Sequence, residues 1–354
     1  MFEALDKCRA GAVDIGVIAY KRIAFDRKGD VIAEKRLLQI VTSGDRLRQV
    51  LLKAVDRQRY HFGHVFERVE QDGNRIQVHF ANGRRERADL LVACDGFRSS
   101  VRTRLAPAVQ PIYSGYYIWR GAPNESDLSP ETRRTMFPYY SFFLGDQLQA
   151  LGYPISGADD ELRAGYRRYN WGWYRVAEAN KLRRMCVDDQ GREYEFGVPP
   201  PLVRKDLVEQ MRAEAETLLP PQYLDCLRHI DQPFFTPVYD FCSPSLVSGR
   251  VALVGDAAST PRPHIGFGVA KAGAEAQTLA EALSSHDDID RALAAYNAVR
   301  QPLSQRIVAH ARKLGTQLGV GIETDEDRRL SKLLQTPKGI MDWIAVPNFL
   351  EMRV

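Results

Sequence analysis

Two short segments carry residue types and spacings suited to a phosphorylated or hydroxyl-rich ligand. Gly255-Asp256 follows the apolar run 251–254, which reads as a buried parallel strand opening into a loop at its carboxyl end. Open α/β sheets bind their ligands at such ends. The Asp256 carboxylate is placed there to accept hydrogen bonds from ligand hydroxyls. Downstream, Pro263, His264 and the turn Gly266-Phe267-Gly268 precede a small-residue helix predicted over residues 269–283. Glycines let backbone N–H groups approach a ligand closely, and a helix N-terminus favours negative charge. The other segment, Asp95-Gly96, closes a strand predicted over 87–93 and leads to Ser99, Val101 and Arg102. Arg102 offers a permanent positive charge suited to phosphate. Either segment alone is also what a plain tight turn looks like; the two together, in this order, make a specific pattern.

Other candidate chemistry is weaker. Cys8, Cys94, Cys186, Cys226 and Cys242 are dispersed without a CxxC pair, as reduced thiols are. Cys226 and His229 lie three apart, but no second pair completes a tetrahedral metal site, so no metal is expected. His61 and His64 lack an HExxH context and read as surface residues. Arginines interleave with aromatics over 167–175, yet 49 Lys+Arg against 45 Asp+Glu leave a formal charge of only +4. That balance speaks against a nucleic-acid or membrane partner. The charge-free stretch 105–119 contains Pro107, Pro111 and Gly115 and is too short to span a bilayer. Residues 1–9 are charged throughout, unlike a leader peptide, so the expected location is the cytoplasm.

The elements that must position the two segments are legible in outline. With 354 residues, 44% hydrophobic and 27% charged, the chain has the composition of a soluble globular protein of two domains or one large composite. Leu47, Val50, Leu51, Ala54 and Val55 recur at helical spacing, with Ser43 or Asp45 as the cap. Strands are predicted over 64–70, 75–80 and 87–93, with Asp72-Gly73 and Asn82-Gly83 at their joints. The cluster Arg84, Arg85 and Arg87 reads as a solvated hairpin edge. Aromatic-rich segments at 113–119, 139–144, 148–153 and 169–176 suggest an antiparallel sheet. Their Tyr, Phe and Trp side chains serve either as sheet core or as stacking surfaces for a substrate. A helix is predicted over 203–219 and stopped by Pro220-Pro221, and a long one over 289–318 is kinked or divided by Pro302. The α/β texture on both sides of a β-rich insert implies a composite domain interrupted by a second. The boundaries are residues 1–106, 107–242 and 243–354.

On these motifs the chain resembles the FAD-dependent aromatic hydroxylases of the para-hydroxybenzoate hydroxylase fold. Residues 95–102, Asp-Gly-Phe-Arg-Ser-Ser-Val-Arg, are similar to the family's DGxxSxVR segment, which serves FAD and NAD(P)H binding. Gly255-Asp256-Ala257-Ala258, followed by Pro261-Arg262-Pro263-His264, resembles its second flavin motif. By that resemblance Asp256 binds the ribityl chain, and the amides around Gly266 and Gly268 face the flavin ring. Residues 116–121, Tyr-Tyr-Ile-Trp-Arg-Gly, and the Thr-Pro-Arg-Pro-His run resemble the subgroup of 2,6-dihydroxypyridine 3-monooxygenase. Tyr296 and Arg300-Gln301-Pro302 resemble the helix that follows the second motif. The resemblance covers about residues 5–318.

The implied fold is α/β: an incomplete Rossmann-like FAD domain with an inserted antiparallel substrate sheet and C-terminal helices. The implied reaction is hydroxylation of a small aromatic or N-heteroaromatic ring, hydroxypyridine- or phenol-like, with NAD(P)H and O2. A homodimer is compatible with the family and is not visible in the residues. His264 is the candidate substrate or flavin contact, with capping of the following loop as its other reading. The family's GxGxxG motif is absent from the chain, and Gly44 stands where many relatives place Arg, Gln or an aromatic residue. About 50 residues, the size of a βαβ unit and its continuation, are expected to be missing before Met1. From that follow an exposed apolar cleft and marginal stability. The alternatives to an aromatic hydroxylase are an inactive remnant serving at most as a binding protein, and a flavin oxidoreductase with a non-aromatic substrate.

Overall fold

The computed structural model describes Leu5 and residues 15–346; Cys8 lies outside them. Two long strands come first, β1 (Val17–Phe25) and β2 (Val31–Val41), paired antiparallel. Helix α1 (Gly44–Lys53) follows, and of the two cap candidates it uses Ser43, whose hydroxyl accepts from the Arg46 N–H. Strands β3 (Phe66–Asp72), β4 (Arg75–Phe80) and β5 (Arg85–Ala88) form a separate three-stranded antiparallel sheet. The strand predicted over 87–93 is therefore two. Its charged half is the exposed hairpin edge, whereas its apolar half, β6 (Leu91–Ala93), pairs in another sheet, where the Leu91 N–H donates to Arg250 O. The short helix α2 (Ser100–Leu105) comes next.

The aromatic-rich segments are the strands β7 (Ile112–Gly121), β8 (Tyr139–Gly145), β9 (Leu148–Ile155) and β10 (Arg168–Val176). Helices α3 (Pro130–Met136), α4 (Ala179–Met185), α5 (Lys205–Leu218) and α6 (Pro221–Arg228) intervene and precede β11 (Phe234–Cys242). Pro220-Pro221 ends α5 and starts α6, as a ring without an N–H is tolerated in a first helical turn. The chain finishes with β12 (Val247–Ser248), β13 (Val251–Leu253), β14 (Ser259–Thr260), α7 (Gly268–Ser285), α8 (Ile289–Gly315), α9 (Asp325–Leu334) and α10 (Pro337–Trp343). Pro302 lies inside α8 without dividing it. No helix among the described residues is long and apolar enough to cross a membrane.

Eight strands form one sheet in the order β14-β11-β7-β10-β9-β8-β1-β2. The hairpin β1-β2 thus extends the sheet of the inserted region, so this sheet crosses the boundary drawn at residue 106. Its two faces follow the strict alternation of strand side chains. Tyr117, Trp119, Phe143, Trp171 and Trp173 pack beneath α3–α6. Tyr116, Ile118, Tyr140, Phe142, Leu151 and Tyr174 meet α8–α10 and the loop at Ile265. Every one of these aromatic residues is core, and the second face looks toward the loop after β14.

The small sheet β12-β13-β6 carries the two motif strands. β13 and β6 run parallel with Val251, Ala252 and Leu253 opposite Leu91, Val92 and Ala93, and β6 forms the sheet edge, where Val92 is 41% exposed. Among its neighbours, Leu279, Leu293 and Tyr296 of α7 and α8 complete a third core.

Candidate functional site

Parallel pairing of β6 with β13 brings the carboxyl ends of both strands side by side. They open into a cleft of about 1030 Å³ whose walls include Leu47, Gly96, Gly255, Asp256, Gly268 and Ala272. The two segments, about 160 positions apart in sequence, therefore meet in one site.

The turn at Gly255 is held from both sides. Its φ of 67° is left-handed, which a Cβ disfavours. Its N–H donates to Glu275 Oε2 (2.7 Å), and its carbonyl accepts from Lys271 Nζ (2.8 Å). Lys271 and Glu275 lie one turn apart on α7, both 0% exposed, and pair at 3.0 Å. Ser304 Oγ donates to the other face of the carboxylate, Glu275 Oε1, at 3.0 Å. This buried pair was not singled out in the sequence, although two opposite charges at i, i+4 within a run of small residues are a visible signal.

The clamp aims Asp256 into the cleft, where its carboxylate is exposed and takes no hydrogen bond from a protein donor among the described residues. Desolvation by the cleft walls raises its pKa; Lys271 opposes and Glu275 reinforces that shift. Opposite Asp256, helix α7 begins at Gly268, and no side chain caps it. The first N–H groups of this 18-residue helix are left to a ligand. Gly266, with φ 60°, makes the turn that starts it, packed on Ala345 so closely that a Cβ there would lie 2.6 Å from the Ala345 Cβ.

The other sequence candidates support the site from behind. Asp95 Oδ2 accepts from the Val101 N–H (3.2 Å), which holds the start of α2. Arg102 is 3% exposed; it donates to Phe97 O (2.7 Å) and Ala257 O (3.3 Å) and lies 4.0 Å over the Phe241 ring. Its guanidinium ties the two motif loops together; it is not part of this cleft wall and lines a second, smaller cavity with Phe97, Arg98 and Thr103. Pro263 opens a 3-10 turn over Pro263–Ile265.

His264 is 1% exposed and absent from the cleft wall. Its Nε2 lies 3.0 Å from the Tyr116 hydroxyl and its Nδ1 3.0 Å from Gln317 Nε2, and its ring stacks on Tyr174 at 4.6 Å. Desolvation, helped by the nearby Arg262 charge, lowers its pKa to about 3, so the ring is neutral at ordinary pH. The His264 carbonyl accepts from the Ala345 N–H (2.9 Å), which fastens the C-terminal helices to the turn. Its ring is thus held by protein groups and does not line this cleft. Beside it the fully buried Asp240 pairs with Arg262 and Arg312.

The groups around the cleft suit part of FAD. A free carboxylate suits ribityl hydroxyls, an uncapped helix start suits an anionic or electron-accepting ring edge, and Gly44 and Gly96 leave open space where a side chain would intrude. The residues fit the ribityl and ring half of the cofactor. A GxGxxG cradle for its pyrophosphate is not in the sequence.

Known proteins resemble this chain in sequence and in fold. A family model described as FAD binding domain-like matches residues 113–240. The chain is 30% identical over 297 residues to the 2,6-dihydroxypyridine 3-monooxygenase of Paenarthrobacter nicotinovorans, covering 84% of this chain and 72% of that protein. It is 26% identical over 306 residues to the 6-methylsalicylate 1-monooxygenase atA of Aspergillus terreus, covering 83% of this chain and 63% of that one. The solved structure of 2,6-dihydroxypyridine-3-hydroxylase from Arthrobacter nicotinovorans superposes with a TM-score of 0.84 at 26% identity, covering 92% of this chain and 82% of that chain. Klebsiella pneumoniae HpxO, complexed with FAD and uric acid, shares the fold with a TM-score of 0.73 at 22% identity over 96% and 84% of the two chains. The chain belongs to the FAD-dependent aromatic-ring monooxygenases, with the α/β fold, inserted antiparallel sheet and C-terminal helices of that class. FAD is the cofactor of this family.

Proposed function

We propose that the protein hydroxylates a small aromatic or N-heteroaromatic ring, hydroxypyridine- or phenol-like, using NAD(P)H and O2. The observation that carries this reading is the donor-free Asp256 carboxylate facing the uncapped start of α7 across a large cleft, with a tyrosine-rich sheet face behind the adjoining turn. The similarity to a hydroxypyridine monooxygenase supports the substrate class. FAD, when bound, supplies the redox and oxygen-activating chemistry. Asp256 would accept its ribityl hydroxyls. The amides of the first turn of α7 would stabilise negative charge at the ring, and Gly255 would be held in place by Lys271 and Glu275. His264, neutral and engaged on both nitrogens, would position the turn and transfer no proton.

The test is to titrate the purified chain with FAD, following flavin absorbance, and then to measure NAD(P)H oxidation with and without 2,6-dihydroxypyridine. Saturable binding with ring-stimulated oxidation and a hydroxylated product is expected. An absence of saturable FAD binding would sink the enzyme reading for this chain and favour a remnant. Oxidation that no phenol or hydroxypyridine stimulates would point to a non-aromatic substrate.

A further inference from the structure

The eight-stranded sheet ends in two unlike edges. One is β14, a two-residue strand too short to template another. The other is β2, 11 residues long, with no strand beside its outer row of backbone N–H and C=O groups among the described residues. Its ladder with β1 shifts register between Ala19 and Lys21, yet the side chains of β2 alternate without a break from Ile32 to Ile40. The odd-numbered ones are partly covered: Ala33 and Leu37 pack on the core beneath the C-terminal helices, and Lys35 pairs with Asp342 of α10 at 2.6 Å. The even-numbered ones, Ile32, Glu34, Arg36, Leu38 and Ile40, are all exposed. On β1, Ile18 stands opposite Ile40 and is exposed with Tyr20, so an apolar patch lies at the open edge; Leu38 is 65% and Tyr20 61% exposed.

The run Glu34-Lys35-Arg36 at the middle of β2 selects what can pair there. A two-fold axis perpendicular to the sheet sets β2 antiparallel to a copy of itself with both open faces on one side. Even-numbered residues then meet even-numbered ones. Centred on Glu34 or on Arg36, such pairing puts like charges face to face. Centred on Ala33 or Leu37, it sets Glu34 against Ile32 or Ile40 of the copy. Centred on Lys35, it sets Glu34 opposite Arg36 of the copy and Ile32 opposite Leu38 of the copy, each contact made twice by symmetry. Arg36 gains most from this register. It is exposed, has no carboxylate partner among the described residues, and stands opposite the like-charged Lys21, whose own partner is Glu34. On the other face Lys35 meets its copy, and the Asp342 carboxylate beside each amine offsets their repulsion. Helix α10 packs across β2, β1 and β8, inward of the edge, and leaves the joint clear.

We propose that β2 is the edge through which two copies of this chain join, antiparallel about a two-fold axis at Lys35, so that their eight-stranded sheets run on as one. Residues 31–39 of each copy pair over roughly 27 Å, at about 3.4 Å per residue. Ile32 and Leu38 close over the joint, and each Glu34 lies between Lys21 of its own chain and Arg36 of the other. Such an interface is closed: it uses up the edge and prevents the open-ended pairing that an unprotected strand invites. It includes no residue of the cleft, so it stands apart from the flavin reading.

Analytical ultracentrifugation of the full chain, without added flavin, tests it. A species of twice the 40.1 kDa chain mass is expected. The chain is held at about 10 μM, ten times a micromolar Kd. Glu34→Arg and Arg36→Glu each create two like-charge contacts across the axis and should raise the dissociation constant by about tenfold or more. The double exchange Glu34→Arg/Arg36→Glu restores both pairs and should bring it back toward the native value. Mixing the two single variants should give a heterodimer, since one chain then carries two cations and the other two anions at these positions. Leu38→Lys should also separate the copies, and it replaces either charge variant that does not fold by circular dichroism. The assignment is overturned by a monomer at that concentration, by a dimer indifferent to Arg36→Glu or to Leu38→Lys, by a double exchange no tighter than the singles, or by single variants that stay apart on mixing.

Discussion

At the residue scale, Asp256 faces the cleft while Lys271 and His264 hold the loops around it. Asp256 is exposed to the cleft and has no donor among the described residues, so its replacement should cost ligand affinity and little stability. Asp256→Ala is expected to weaken FAD by roughly 10- to 100-fold, the value of charge-assisted hydrogen bonds to hydroxyls, with an unchanged urea midpoint. Lys271 is the reverse case. Its removal strands Glu275, fully buried, and Lys271→Met should lower unfolding free energy by about 3–5 kcal/mol in chemical denaturation, with partial recovery in Lys271→Met/Glu275→Gln. His264 sets a pH dependence. Its folded pKa of about 3 is below the unfolded value, so the unfolded chain takes up a proton that the native ring refuses. Stability from this group is complete above about pH 6.5 and is lost as pH falls toward 3. Denaturation at pH 7 and pH 4.5 should show a loss about 2 kcal/mol larger in the native chain than in His264→Gln. Equal losses in both would refute the neutral, buried assignment.

Local patterns were readable at the scale of elements wherever a short stretch of chain determines its own conformation. The cap at Ser43, the hairpin turns at Gly73 and Gly83, and the double-proline break between α5 and α6 all act through neighbours in sequence. The strand predicted over 87–93 failed because its halves join different sheets, a choice made by Arg250 and β13 more than 150 positions away. Pro302 leaves α8 undivided because the helix is held along its length by Leu293, Tyr296, Ile307 and Leu314 in two cores. The β1-β2 hairpin has a turn signal at Asp26 to Asp30, where the Asp26 carboxylate accepts from the amides of Lys28 and Asp30, but nothing local says which sheet it joins. Helix α7 carries its own prediction. Its small residues line the cleft, so Ala276→Leu should fill that wall, abolish FAD binding and leave circular dichroism unchanged. Retained FAD affinity in that variant would place the cofactor elsewhere.

For the whole molecule, the decisive feature is an apolar cleft between α1, the carboxyl ends of the two motif strands and α7. A ligand that binds only the folded state raises stability by mass action, about 2.7 kcal/mol at 100 times its Kd. FAD at that excess should therefore raise Tm by a few degrees, an increase that Asp256→Ala should cut to between about half and a sixth at the same concentration. No shift in the unaltered chain would contradict cofactor binding at the cleft.

By itself the sequence determined the class of fold and the two segments that carry cofactor chemistry, because strand-loop-helix punctuation and glycine placement are local properties. Only the tertiary structure decided which members of those segments line the cleft. Asp256 does so, whereas Arg102 and His264, equally suitable by residue type, turn inward to carbonyls and neighbouring rings. It also disclosed Lys271 with Glu275, and Lys21 opposite Arg36, pairs whose meaning depends on burial and cross-strand register. A side chain's chemical type is written in the chain; its desolvation and its partners are set by what folds against it.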